Sequence, residues 1–169
     1  MLEIGCGDGG RLSWLNKYKG LNCSGIDPSA KAVKIANDKG VKSIIGTADN
    51  LPFKNNEFDI VIFGFCLYLC DVEDLFQISQ EADRVLKKTG WIIIHDFYSK
   101  SSITKKYKHC DGVNSHKMDY RKLFDWHPAY TCYSHEIKHH VHIEFTDEVN
   151  EWVGLSILRK NFSEDNYAR

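Results

Sequence analysis

Met1-Leu2-Glu3-Ile4-Gly5-Cys6-Gly7-Asp8-Gly9-Gly10 opens the chain and decides its fold. A short strand runs into a glycine-rich turn, and Arg11-Leu12-Ser13-Trp14-Leu15 continues in helical phase. Glycine lets the backbone turn tightly and lie against a ligand, and the free N–H groups of a helix start attract an anion. Strand, turn and helix start together make a cofactor cradle. Gly5, Gly7 and Gly10 also satisfy G-x-G-x-x-G, so a dinucleotide is one ligand this geometry admits. Glu3 stands where a dinucleotide fold normally has an apolar residue.

Beyond the turn, strand and helix signals alternate, the mark of a parallel sheet. A helix is expected over 10–19, closed by Gly20, then a strand over 21–26 ending at Asp27. Pro28 opens a helix that Gly40 closes, and 41–46 is a third strand. A loop over 47–57 carries Ala48-Asp49-Asn50-Leu51-Pro52-Phe53. Phe58–Phe63 is apolar on both faces, as a central parallel strand should be. The pattern predicts a helix over 72–88, capped by Asp71, with Val72, Leu75, Phe76, Ala82, Val85 and Leu86 inward and Lys87-Lys88 at its C-terminal dipole. Trp91–His95 is the fifth strand. From 99 to 129 the alternation stops, save for one short helix at 120–125, and the segment reads as an insertion or lid on the substrate side. Strands over 130–145 and 151–160 close the chain as an antiparallel hairpin.

At 169 residues the chain reads as a single domain, 1–169, with a formal net charge of −1 and 43% hydrophobic residues. No apolar run reaches membrane-spanning length and no signal peptide precedes the first strand, so the expectation is a cytoplasmic protein with no membrane partner. Six scattered cysteines without a C-x-x-C pair suit free thiols. Near-neutral charge without a basic tail argues against a nucleic-acid partner. Charge is uneven, however. Residues 99–142 hold eight Lys/Arg against four Asp/Glu, with seven of the eight histidines, which suits a substrate face for an anionic small molecule. His139, His140 and His142 fall on an expected strand, where only His140 and His142 share a face, so no metal site is expected.

The run Glu3-Ile4-Gly5-Cys6-Gly7-x-Gly9 resembles the first motif of the class I S-adenosylmethionine (SAM)-dependent methyltransferases, in particular their small-molecule branch. The resemblance implies a Rossmann-like, doubly wound α/β sheet of seven strands, mostly parallel with a C-terminal antiparallel hairpin. It also implies SAM as cofactor and S-adenosylhomocysteine (SAH) as product. By resemblance, the backbone of Gly5, Cys6, Gly7 and Gly9 meets the methionine part of SAM, with Glu3 bracing the loop through its N–H groups. Asp27, followed by Pro28, stands at the spacing of an acid that binds both ribose hydroxyls, although an Asp there also suits a helix cap. Ala48, Asp49 and Asn50 correspond to the adenine-binding loop, with Asp49 accepting the adenine amine, and Phe65 to an aromatic beside the sulfonium.

The reaction so implied is in-line transfer of the sulfonium methyl to a small or medium metabolite. The alternatives are an NAD(P)-binding oxidoreductase and an inactive SAM-binding subunit. A base is needed only where the acceptor must lose a proton. Candidates lie past the fifth strand: His95, Asp96, Tyr98, His116 and Tyr120 first, with His109, Asp119 and His127 behind them. Methyltransferases of this class usually carry a helical segment before the first strand, where this chain has Met1. The expectation is therefore a truncated fragment or shortened reading frame. One apolar sheet face would lack its covering helix and would self-associate, or be covered by a second chain or by residues 99–129.

Overall fold

The computed structural model describes residues 1–107, 109–142, 144 and 147–161. In chain order these form β1 (Leu2–Ile4), α1 (Gly10–Lys19), β2 (Ser24–Asp27), α2 (Ala30–Asp38), β3 (Lys42–Ile45), β4 (Phe58–Gly64), α3 (Leu75–Val85) and β5 (Leu86–Phe97). They continue as β6 (Ile103–Lys106), β7 (Asn114–Lys117), α4 (Lys122–Asp125), β8 (Tyr130–His139) and β9 (Trp152–Lys160). Seven strands make one sheet in the order β3-β2-β1-β4-β5-β9-β8, parallel from β3 to β5 and antiparallel at β9 and β8. This is the expected Rossmann-like sheet with its closing hairpin. The strand order reverses between β1 and β4, and open α/β sheets bind ligands in the crevice at that point.

One face of the sheet is sealed by α3 and α4. Val61, Phe63, Ile92, Ile94 and Leu158 pack there against Ile78, Ala82, Val85, Phe124 and Tyr130. Each large apolar side chain buried in this way stabilises the fold by about 1.5–3 kcal/mol. A smaller cluster of Cys6, Leu12, Cys23, Ala36 and Val41 seats α1 and α2. On the face of β4, β5 and β9 away from α3, Ile60, Trp91, Ile93, Leu155 and Ile157 are only partly buried, and Tyr133 beside Trp91 is 75% exposed. Residues 120–130 do not cover it. Tyr120, Phe124, Ala129 and Tyr130 belong to the core on the α3 side.

Several expected boundaries move. The helix expected over 72–88 is a 3-10 turn, Val72–Asp74, followed by α3. Its buried stripe is Leu75, Ile78, Glu81, Ala82 and Val85, whereas Val72 and Phe76 are 48% and 77% exposed. Asp71 makes no side-chain cap bond. Leu86 is already strand, paired with Phe58, and Lys87 Nζ donates to Asp59 Oδ1 at 2.7 Å instead of facing a helix end. The helix begun at Pro28 starts at Ala30, where the Ser29 hydroxyl accepts from Ala32 N–H, so Ser29 and not Asp27 is the cap. The second strand begins at Ser24, leaving Leu21 41% exposed.

The irregular stretch 99–129 contains an antiparallel ribbon, β6 with β7. Ile103-Thr104-Lys105-Lys106 offers only one apolar residue to signal it. Pairing holds it instead, including Thr104 Oγ1 with His116 Nδ1 at 3.0 Å across directly opposed residues. Finally, β8 stops at His139 because the His139 ring turns back on its own chain. Its Nδ1 accepts the N–H groups of Val141 and His142 at 3.1 and 3.0 Å. His140 and His142 thus lie beyond the strand, and the shared strand face expected for them does not exist.

Candidate functional site

The glycine turn is held by β2. Gly5 N–H and Cys6 N–H both donate to Ile26 O, at 2.9 and 3.1 Å, and Gly7 N–H donates to Asp27 Oδ2 at 2.9 Å. Gly5 has φ +73°, and a Cβ there would stand 2.3 Å from Cys66 Cβ, so only glycine fits. Gly9 forms the start of α1. Across from the turn, Phe65 follows β4 with φ +56°, a left-handed backbone uncommon for a bulky residue and a mark of functional sites. Two neighbours hold this bend. Phe65 N–H donates to His95 O at 2.9 Å, and Asp96 Oδ2 accepts Cys66 N–H and Leu67 N–H at 3.0 and 2.8 Å.

Between these two turns lies a cavity of about 410 Å³. It brings together Gly5, Asp27, Pro28, Ala48, Asp49 and Phe65 of the expected cofactor residues. Cys6, Gly7, Gly9 and Asn50 do not line it; Cys6 turns its thiol toward Ser43, and Gly7 serves by orienting Asp27. Asp27 Oδ1 accepts Ser29 N–H at 2.9 Å. Each carboxylate oxygen thus carries one backbone bond and keeps a lone pair for a hydroxyl. Ile4, Ile26, Leu69 and Ile78 supply apolar wall.

Electrostatically the cavity is acidic. Asp27, Asp49, Asp71 and Asp74 all line it, and among the described residues no Lys, Arg or His does. SAM, with a sulfonium and an ammonium against one carboxylate, fits such a lining, whereas the pyrophosphate of a dinucleotide meets like charge. The residues present therefore fit SAM, with a glycine lining the cavity at the turn and, on Asp27, a lone pair of each oxygen left for a diol.

Glu3 is placed differently from expectation. Its Oε1 takes Arg11 Nη1 at 2.8 Å rather than loop N–H groups, and its Oε2 is buried without a partner. Burial outweighs Arg11 and pushes the Glu3 carboxyl up to about 7. A carboxyl whose pKa is higher folded than unfolded holds its proton more tightly when folded. The stability it confers is full below about pH 4.5 and is lost as pH rises through 7. Glu3→Gln is therefore expected to match the parent in urea unfolding at pH 5 and to exceed it at pH 8, by on the order of 1–3 kcal/mol. A variant equally destabilised at both pH values would contradict this.

Of the candidate bases, Asp96 is 2% exposed and does not line the cofactor cavity. Burial pushes it up to about 7 against the N–H groups it accepts, and its work is to hold the Phe65 bend. His116 is buried on β7, bonded to Thr104, and Tyr120 O–H donates to His116 O at 2.5 Å within the core. Neither lines the cofactor cavity or the cavity beyond Phe65. Tyr98 stacks by His135, Asp119 is bonded to Arg121, and His127 Nδ1 accepts Ala129 N–H. His95 lies 4.6 Å, centroid to centroid, from the Phe65 ring, its pKa lowered by burial. Burial also raises the Cys66 thiol well above its ordinary range and Cys70 to about 12, which fits neither with a nucleophile.

A second cavity, about 540 Å³, lies beyond Phe65. The Phe65 ring is 5.5 Å from Phe97 and 5.3 Å from His140, and both of these line the second cavity. Tyr68, 5.0 Å from Phe97, extends the wall. Sequence reasoning missed Asp71 and Asp74 in the first cavity. It missed the clamp on the loop carrying Asp49 as well. Glu81 Oε2 accepts Leu51 N–H at 2.8 Å, and Arg84 donates to the carbonyls of Leu51 and Phe53. A glutamate on the buried stripe of α3, three residues before an arginine, was the available signal. Among the described residues no group of three or more His, Cys, Asp or Glu is disposed to hold a metal ion.

Comparison with known proteins agrees with this geometry. Residues 2–94 match the family described as "Methyltransferase domain". An uncharacterized protein, MJ1123, of Methanocaldococcus jannaschii is 38% identical over 108 residues, 63% of this chain and 49% of that protein. Norajmaline N-methyltransferase of Rauvolfia serpentina is 34% identical over 102 residues, 56% of this chain and 34% of that one. The matched stretch thus spans less than half the length of either relative. In structure, a SAM-dependent methyltransferase from Methanosarcina mazei superposes with a TM-score of 0.75 at 17% identity, covering 96% of this chain and 92% of that one. The chain belongs to the methyltransferase domain family and has the fold of the SAM-dependent methyltransferase it superposes on.

Proposed function

We propose that this chain transfers the SAM methyl group to a small or medium metabolite bound in the second cavity. The observation that carries the reading is a pair of cavities linked through ring contacts of Phe65 with Phe97 and His140, one acidic and suited to SAM, the other open to an acceptor. SAM, when bound, supplies an electrophilic methyl on a sulfonium. Asp27 and the Gly5 backbone hold the cofactor, and the Glu81–Arg84 clamp fixes the loop that presents Asp49. Phe65, Phe97 and Tyr68 exclude water from the boundary, and a dry, oriented approach is most of what an in-line displacement asks of a protein. An acceptor that sheds a proton finds His140 in the wall, its Nδ1 3.9 Å from Glu151 Oε2.

A thermal-shift screen tests the reading. SAM and SAH at about 100 times their dissociation constants should stabilise the chain by about 2.7 kcal/mol, and NAD and NADP should not. Asp27→Asn should weaken SAM by about 1.5–3 kcal/mol, the range for hydrogen bonds to a charged group. Stabilisation by NAD and not SAM would overturn the assignment. Binding of SAM with no SAH release in the presence of any acceptor would make the chain a SAM-binding subunit.

A further inference from the structure

The ribbon β6–β7 forms one side of the second cavity and brings lysines to it. Lys105 and Lys117 lie diagonally on the same ribbon face, since Lys105 is opposite Ser115 and Lys117 opposite Ile103. Both ammonium groups converge on Asn150. Lys105 Nζ donates to its side-chain oxygen at 2.7 Å, and Lys117 Nζ to its carbonyl. These acceptors are neutral. Among the described residues neither lysine has a carboxylate within 4.0 Å. Lys117 also lies over the Phe97 ring, 4.0 Å from its centroid, against the aromatic wall. Lys106 lines the same cavity. The cavity's acids, Glu148 and Glu151, stand nearer the histidines: Glu148 Oε2 is 3.8 Å from His139 Nε2 and Glu151 Oε2 is 3.9 Å from His140 Nδ1.

Two like charges gathered on one neutral residue repel each other, and Glu151, whose charge reaches Lys117, is not within ion-pair distance of either. A carboxylate or phosphate on the ligand neutralises them, with charge-assisted bonds of the strong kind. Tyr68, Phe97 and Tyr107, which line the same cavity, then give an aromatic wall to a flat or apolar body.

We propose that the methyl acceptor is a small anionic metabolite, its carboxylate or phosphate held by Lys105 and Lys117 and its body laid along the aromatic wall toward Phe65. This rests on the second cavity being the acceptor site. Expected binding loss is about tenfold for each lysine removed.

The test is calorimetric titration of the SAH-saturated chain with phenyl phosphate, benzoate and the neutral benzamide. The anions should bind at least about tenfold more tightly than benzamide. Lys105→Gln combined with Lys117→Gln should abolish that preference while leaving SAH affinity unchanged. Lys105→Glu, at an exposed position where folding is not at stake, should reverse it. Equal binding of benzoate and benzamide, no binding of either anion at millimolar concentration, or a preference that survives both variants overturns the proposal. So does loss of SAH affinity in step with anion binding, which would make the lysines part of the fold. If SAH itself fails to bind, the cofactor assignment falls, and the same titrations without SAH decide the anion site by the same criteria.

Discussion

Asp96→Ala is expected to lower the unfolding free energy by about 4 kcal/mol or more, with Asp96→Asn costing roughly half as much. The side chain is 2% exposed, and its two oxygens serve three backbone donors: Oδ2 takes Cys66 and Leu67, Oδ1 takes Phe97. Alanine leaves one buried and two partly buried N–H groups without this acceptor, and each orphan costs about 1–3 kcal/mol where water cannot replace it. Asparagine keeps one oxygen for Cys66 and Leu67 but turns an NH2 group toward Phe97 N–H, so one bond is lost. Urea unfolding of the three proteins reads the order directly. The consequence reaches the site, because the same bonds hold Phe65 in its left-handed bend at the cofactor cavity. SAM affinity should therefore fall in the same order. An alanine variant as stable as the parent, with unchanged SAM binding, would show that Asp96 holds nothing in place.

How much of this was legible in the sequence depended on how local the cause was. The parallel sheet could be read because each strand is marked by its own residues and each turn by its own glycine or proline, as at Gly20 and Gly40. The border between α3 and β5 could not. Val85-Leu86-Lys87-Lys88 continues a helical pattern, and what ends the helix is pairing of Leu86 with Phe58, 28 residues away. The ribbon β6–β7 was invisible for the same reason. Its stability lies in cross-strand pairs such as Thr104 with His116, not in an apolar alternation.

The site divides in the same way. Gly5, Asp27, Asp49 and Phe65 could be named from the sequence and meet at one cavity because each lies at or shortly past the carboxyl end of a strand, where the fold itself places ligands. Glu81 and Arg84 were missed because their targets, Leu51 and Phe53, lie about thirty residues upstream. His116 and Tyr120 drew attention as polar, titratable residues outside the expected strands, and nothing in the sequence signalled that packing bonds them to each other.

Gly5→Ala should be the most damaging single methyl that can be added to this chain at the cofactor turn. Two costs coincide. The left-handed backbone, φ +73°, disfavours any Cβ by about 1–2 kcal/mol, and the new Cβ meets Cys66 Cβ at 2.3 Å, an overlap of the kind that costs another 1–3 kcal/mol. Cys66 cannot step aside freely, since its N–H is held by Asp96 and its thiol donates to Ile4 O at 3.2 Å. The turn must open instead, and with it the wall against which the cofactor lies, so SAM affinity should fall by about a hundredfold or more. Gly7 provides the control. It shares the left-handed φ, at +53°, but nothing stands within 4 Å of an added Cβ. Gly7→Ala should pay only the backbone cost and keep measurable SAM binding. Cys66→Gly in the Gly5→Ala background removes the clashing atoms and leaves Cys66 Cα 3.7 Å from the new methyl, an ordinary contact. The double variant should therefore bind SAM more tightly than Gly5→Ala alone, recovering the steric part of the loss and not the backbone part. Equal damage from Gly5→Ala and Gly7→Ala, with no recovery in the double variant, would mean that backbone strain alone governs the turn and that Cys66 is a bystander.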